Sequence, residues 1–430
     1  RRLKVYNRNN SSINISSIEL MNPDKTGFRM NVDGFAGDKV NNVDLLKKDS
    51  LFIFIEITVD PLNSESSMFI SDSIKFNING STQYVHLEAI GQDAEVWRGG
   101  RFIEHDTTLV AGKPLLIFDS IYVKKDVTLN IEKNVKLHFH DKAKIIVDGR
   151  INAKGTLEEP VVFRADRYDY ILTKVPYDNI QGQWEGMIVD SASYNNHFEY
   201  VQFRNTINGI TFKRSDTNTK KATFINSKIH NSNGNGIYAE ECWIEAQNSL
   251  FTNARGYVLN FVGGKYDFTH CTGANHLSWS ITRKDKALSL SNSTKDENGE
   301  VVLRPLINAN FTNSIISGTS RPEYVINKNQ NASIFYSFKN CVIYAREITD
   351  DTEKSNFPNT IWANPEFKYV NNENRDYFYN FELDSISPAK NVADVVAAAN
   401  IPFDIRGVSR MSDEGPDIGC YEWVATEEEV

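Results

Sequence analysis

The chain has 430 residues, 40% of them hydrophobic and 24% charged, with a formal net charge of −9. A sizeable core is expected and wholesale disorder is not. The absence of any basic block argues against nucleic acid as a partner, because counterion release needs a positive stripe. Apolar runs such as Leu51–Val59 are far too short to span a bilayer, and four cysteines without a CxxC spacing make neither a disulfide framework nor a zinc site.

Residues 1–93 read as a small all-β unit. The stretches LKVYN, INISSIEL, FRMNV, LFIFIEITV, SIKFNI and QYVHLEAIG are rich in Ile, Val and Phe, and NPDKTG, DGFAGDK and NING break them as turns. About six or seven short antiparallel strands at this spacing predict a β-sandwich of immunoglobulin type. Residues 94–126, which contain VWRGGRF and AGKPLLIFDS, are expected to be a linker and an N-terminal cap for the region beyond them.

From Val127 the texture changes to very short alternating runs, with Leu129, Ile131, Val135, Leu137, Phe139, Ile145, Val147, Ile151, Val161 and Phe163 as inward candidates. Breaks fall at Asn, Asp and Gly, and a single helix is expected, at Val392–Asn400. Such a pattern means a closed β architecture or a solenoid. A repeat decides between them. Asn226, Asn248 and His270 recur every 22 residues, as do Asn231, Asn253 and Asn275, with weaker echoes at Asn313 and Asn340. A coil that returns to the same place each turn repeats its corner residue, whereas a hairpin meander has no reason to. Asn suits a corner because it tolerates left-handed φ and its amide can bond to the coils above and below.

The same register stacks Phe224, Ala246 and Phe268 in one inward column and Ala222, Ile244 and Tyr266 in another. Ala246 leaves a gap for large neighbours to fill. Cys271 and Cys341 take the small slot of Ser227, Ser249 and Ser314 and are expected as separate buried thiols.

GQWEGMIVDSAS (Gly182–Ser193) followed by HFEYVQFRNTINGI, and the closing DSISPAKN, DIRGVSR and GPDIGCYEW, resemble the right-handed parallel β-helix, or pectin-lyase-like, proteins secreted by bacteria. The resemblance covers roughly residues 100–424. The expected architecture is all-β: an immunoglobulin-like sandwich, then a right-handed parallel β-helix over 127–380, a C-terminal closing segment over 381–424 and an acidic tail over 425–430. About ten to twelve coils at one strand spacing each would make a rod roughly 50 Å long. The resemblance also implies a secreted or outer-surface location, with a lipid anchor on a Cys outside this sequence.

Three groups of side chains invite chemistry. The loop Arg164–Gly186 gathers Asp166, Arg167, Tyr168, Asp169, Tyr170, Tyr177, Asp178, Trp184 and Glu185. Carboxylates with Arg suit proton transfer or uronate binding, and rings suit stacking on sugar faces. The competing reading packs this loop on the solenoid flank with its charges paired internally. On an outward face, Glu245 should stack on Asp267, and Trp243 on Lys265. Two carboxylates so placed either raise one pKa, share a Ca²⁺, or simply make a solvated face. His138 and His140 share one strand face without an identifiable third ligand. Asp404, Arg406, Arg410 and Asp417 are assigned to covering the open β edge at the end of the solenoid.

Two functions from different classes are open. The first is a non-catalytic adhesion scaffold that binds a polysaccharide through the loop. The alternative is a polysaccharide lyase or glycoside hydrolase acting on an acidic glycan.

Overall fold

In the computed structural model, which describes residues 1–59, 67–278 and 283–425, all six strands expected near the N-terminus form. Two more join them. Lys39–Leu45 hides its alternation behind Asn and Asp, and Phe35–Ala36 is a two-residue strand inside a segment expected to be a turn. The eight make two four-stranded antiparallel sheets. Inward residues of both, among them Ile18, Phe28, Ile53 and Ile74, form one apolar cluster. These strands belong to the first of two units, Arg1–Ala94; the second is Glu95–Val430.

The second unit is built on three long parallel sheets of nine, nine and ten strands, each coil adding a strand to each sheet. Parallel pairing already starts at Glu95–Trp97, within the segment expected to be linker and cap, and its last strand is Val342–Ile343. Alternation dictates the packing: all ten inward candidates between Leu129 and Phe163 are at most 3% exposed. Phe224 pairs with Ala246 and Ala246 with Phe268, as the 22-residue register requires. Phe251, from the ten-stranded sheet, fills the gap at Ala246, with ring centroids 5.9 Å from Phe224 and 5.7 Å from Phe268.

The corners are where asparagine matters. Asn226, Asn248, His270, Asn313 and Asn340 all have φ between 48° and 51°. A β-carbon normally resists that region, and Asn is the least disfavoured there among residues larger than Gly. Asn248 donates to Asn226 Oδ1 at 2.5 Å, and Asn313 Nδ2 lies 2.9 Å from His270 Nε2. The second corner holds Asn205, Asn231 and Asn253, with φ of 69°, 59° and 56°, whereas Asn275, expected there, does not take the left-handed conformation. The small slot also has a role. The N–H groups of Val201, Ser227 and Cys271 donate to Oγ of Ser227, Ser249 and Ser314 on the next coil, each at 3.1 Å. All four cysteines are buried free thiols.

The closing segment differs from expectation. It runs back along the outward face of the ten-stranded sheet instead of covering an open edge. Leu250, Ala274, Ile315 and Val342 on that face join Phe381, Leu383, Ile405 and Ile418 in a separate apolar cluster. The corner ladder anchors it: Asn248 donates to Phe403 O at 3.2 Å, and Asn313 exchanges bonds of 3.0 and 2.8 Å with the backbone of Asp394. Arg410 and Glu422, at most 1% exposed, form a buried ion pair there. The charged residues read as an end cap therefore latch a side flank. The expected helix shrinks to Val395–Ala398, started by the Asp394 carboxylate, which accepts from the N–H groups of Val396 and Ala397. Except for Ala425, the acidic tail lies outside the described residues.

Candidate functional site

The Arg164–Gly186 loop folds onto the flank and its charges find partners. Arg167 makes a bidentate pair with Asp169 at 2.9 and 2.6 Å and stacks 3.6 Å over the Tyr177 ring. Asp166 accepts from His140 at 2.7 Å, and Glu185 from Asn208 at 2.6 Å. The Tyr168 hydroxyl meets His138 Nε2 at 3.2 Å while its ring carries Arg164 at 4.2 Å. Trp184 corrects the expectation of a sugar platform. It is fully buried, stacked 4.0 Å from Phe139, and its indole N–H donates to Arg204 O at 2.8 Å. A ring inside the solenoid cannot meet a ligand.

Asp178, 35% exposed at its side chain, is held by two guanidinium groups. Arg204 grips it with bonds of 2.7 and 3.0 Å, and Arg164 lies 3.4 Å away. Burial alone would raise its pKa, but Arg204 and Arg164 outweigh burial and hold it below the ordinary carboxylate range. Asn205 donates to Asp178 O at 2.7 Å and Asn231 to Asn179 O at 3.2 Å, so the second corner ladder fastens this turn.

The second candidate face has the expected register, with Glu245 beside Asp267 and Trp243 beside Lys265. Each carboxylate has its own donors. Glu245 pairs with Lys220, and Asp267 accepts from Asn308 at 3.0 Å and Asn310 at 2.8 Å. Lys220 and Lys265 each place an ammonium over the Trp243 ring, at 5.3 and 5.4 Å. One oxygen of each carboxylate is engaged, by an ammonium on Glu245 and by two amides on Asp267. Among the described residues no group of three or more His, Cys, Asp or Glu could hold a metal ion.

A groove of about 380 Å³ lies elsewhere, between the ten-stranded sheet and the closing segment. Its floor is the outward face of Val201–Thr206, Lys228–Ser232 and Leu250–Ala254, contributing Gln202, Arg204, Lys228, His230, Leu250 and Thr252. Its wall is Tyr377–Glu382 together with Tyr421, and Asp178 and Asn179 complete the lining beside Arg204. Arg204, His230 and Thr252 stand in one column across the coils. Burial, and then the charge of Arg204, push His230 down to about 3, so its imidazole is neutral. Glu382 is held by Lys368 at 3.2 Å and Arg406 at 2.9 Å.

The 22-residue register locates Lys228, His230 and Thr252 on an outward face. It carries no signal that a segment some 150 residues later forms the opposite wall. Among the described residues no helix is long and apolar enough to cross a membrane. No protein-family model matches the chain, and neither a curated protein nor a solved structure matches it.

Proposed function

We propose that the chain is a non-catalytic, carbohydrate-binding scaffold, secreted or held on the outer surface of a bacterium. In this reading the solenoid is a right-handed β-helix, the N-terminal unit is an immunoglobulin-like sandwich, and the glycan lies in the groove rather than on the loop as a whole.

The groove's pairing of a polar floor with an aromatic wall carries the reading. Phe378, 56% exposed, and the half-buried Tyr377 and Tyr379 offer ring faces or edges opposite Gln202, Lys228 and His230. Apolar sugar faces stack on such rings while hydroxyls bond to such side chains. The two carboxylates lining the groove, Asp178 and Glu382, each hold two cations. An acid–base pair for glycoside cleavage needs one carboxyl kept protonated near neutrality, and strong cation pairing works against that.

Native affinity electrophoresis against plant, host and bacterial polysaccharides tests the proposal. At least one polymer should retard the protein, the Phe378→Ala variant should bind it about tenfold more weakly, and the polymer's length should not change. Shortening of any polymer would replace this reading with the enzymatic one.

A further inference from the structure

The groove floor carries more positive charge than the chain neutralises. The two floor cations, Arg204 and Lys228, have one carboxylate near them, Asp178, and it already accepts two bonds from Arg204 and lies 3.4 Å from a further guanidinium, Arg164, outside the groove lining. Arg204 is only 12% exposed at its side chain. Lys228 projects outward in register with Gln202 and Leu250. Among the described residues it meets no carboxylate, only the Tyr421 ring at 5.7 Å. Glu382 across the groove is taken by Lys368 and Arg406. A half-buried surplus of positive charge is costly unless an anion settles beside it.

We infer that the groove binds an oxyanion group of its ligand (carboxylate, sulfate or phosphate) against Lys228, Arg204 and His230, with the aromatic wall covering the rest. His230, being neutral, contributes an N–H rather than a charge. The identity of the carrier as a sugar rests on the proposed function; the anion site itself is testable without it.

The probes are sodium sulfate, phosphate and acetate, titrated into the whole protein at constant ionic strength against chloride, and followed by calorimetry and thermal shift. At least one oxyanion should bind saturably. Lys228→Ala should weaken it about tenfold or more, the worth of a charge-assisted bond, and Lys228→Arg should keep it within a few-fold. Lys228 is outward and partly exposed, so both variants should fold, which circular dichroism would verify. Responses no larger than chloride's, or equal in wild type and Lys228→Ala, would overturn the site. The relative strength of acetate, sulfate and phosphate identifies the group. Saturable oxyanion binding with no polysaccharide retained supports the site and removes the glycan reading. A neutral polysaccharide bound equally by wild type and Lys228→Ala does the reverse.

Discussion

Replacing Arg410 with Met should release the closing segment while leaving the solenoid folded. The guanidinium is fully buried beside Glu422 and also donates to Asn248 Oδ1 at 2.7 Å, Gly419 O at 3.2 Å and Asp417 O at 3.4 Å. Breaking a buried pair from one side costs about 3–5 kcal/mol, because the surviving charge is stranded. Here burial already pushes Glu422 up to about 8 against the opposing pull of Arg410. At pH 7 the stranded carboxyl would therefore take a proton, which places the loss near the lower end, about 3 kcal/mol.

The loss should be local, since the segment packs on an apolar cluster separate from the solenoid core. Native-state hydrogen exchange would show amides of residues 381–424 exchanging roughly a hundredfold faster, with the solenoid strands unchanged. Adding Glu422→Gln should recover part of the loss, because the amide is neutral without first taking up a proton. Unchanged exchange in the segment would refute the latch. Uniform acceleration through the solenoid would refute its independence.

Phe251→Ala should cost about 3–5 kcal/mol in a urea titration, since it empties the space that Ala246 leaves; a loss below about 1 kcal/mol would mean the gap is filled otherwise. Ser249→Ala should cost about 1–3 kcal/mol by leaving the Ser227 N–H without its acceptor, and Ser249→Cys, the residue type one coil later, should cost less. Stability should fall on acidification. Burial, joined by Arg164 at His138, by Arg204 at His230 and by Arg283 at His276, pushes these histidines down to about 3, and burial with Arg410 keeps His270 well below its ordinary value. Their contribution is whole above about pH 6.5 and is lost as pH falls toward 3, at up to about 1.4 kcal/mol per unit for each fully buried group. Asp417 and Glu422, raised by burial to about 6 and 8, work the other way as pH falls, but they are two groups against four. A urea midpoint that is flat or rises between about pH 6.5 and 4 would contradict this.

The core is legible wherever a local period specifies it. Alternation marks Leu129 to Phe163, and the 22-residue repeat marks the columns through Phe224 and Ile244. The asparagines read as corners are corners except Asn275; that they also grip segments far along the chain leaves no local trace. Asn248 and Asn313 hold the closing segment, while Asn205 and Asn231 hold the Asp178 turn. Trp184 misleads because a tryptophan next to glycine and glutamate in a polar loop reads the same whether the chain turns inward or outward. The groove escapes the sequence for a related reason. Lys228 and His230 are ordinary outward residues of a repeat until Tyr377–Glu382 and Tyr421 fold across from them. Long-range packing of an irregular segment has no periodicity to announce it.

The most direct measurement is lysine labelling by mass spectrometry, with and without a polysaccharide that retards the protein. Lys228 should be shielded by the polymer while Lys220 and Lys265, beside Trp243 on another face, label at unchanged rates. Shielding of Lys220 and Lys265 with Lys228 still reactive would move the binding site to the Trp243 face and contradict the assignment of the groove.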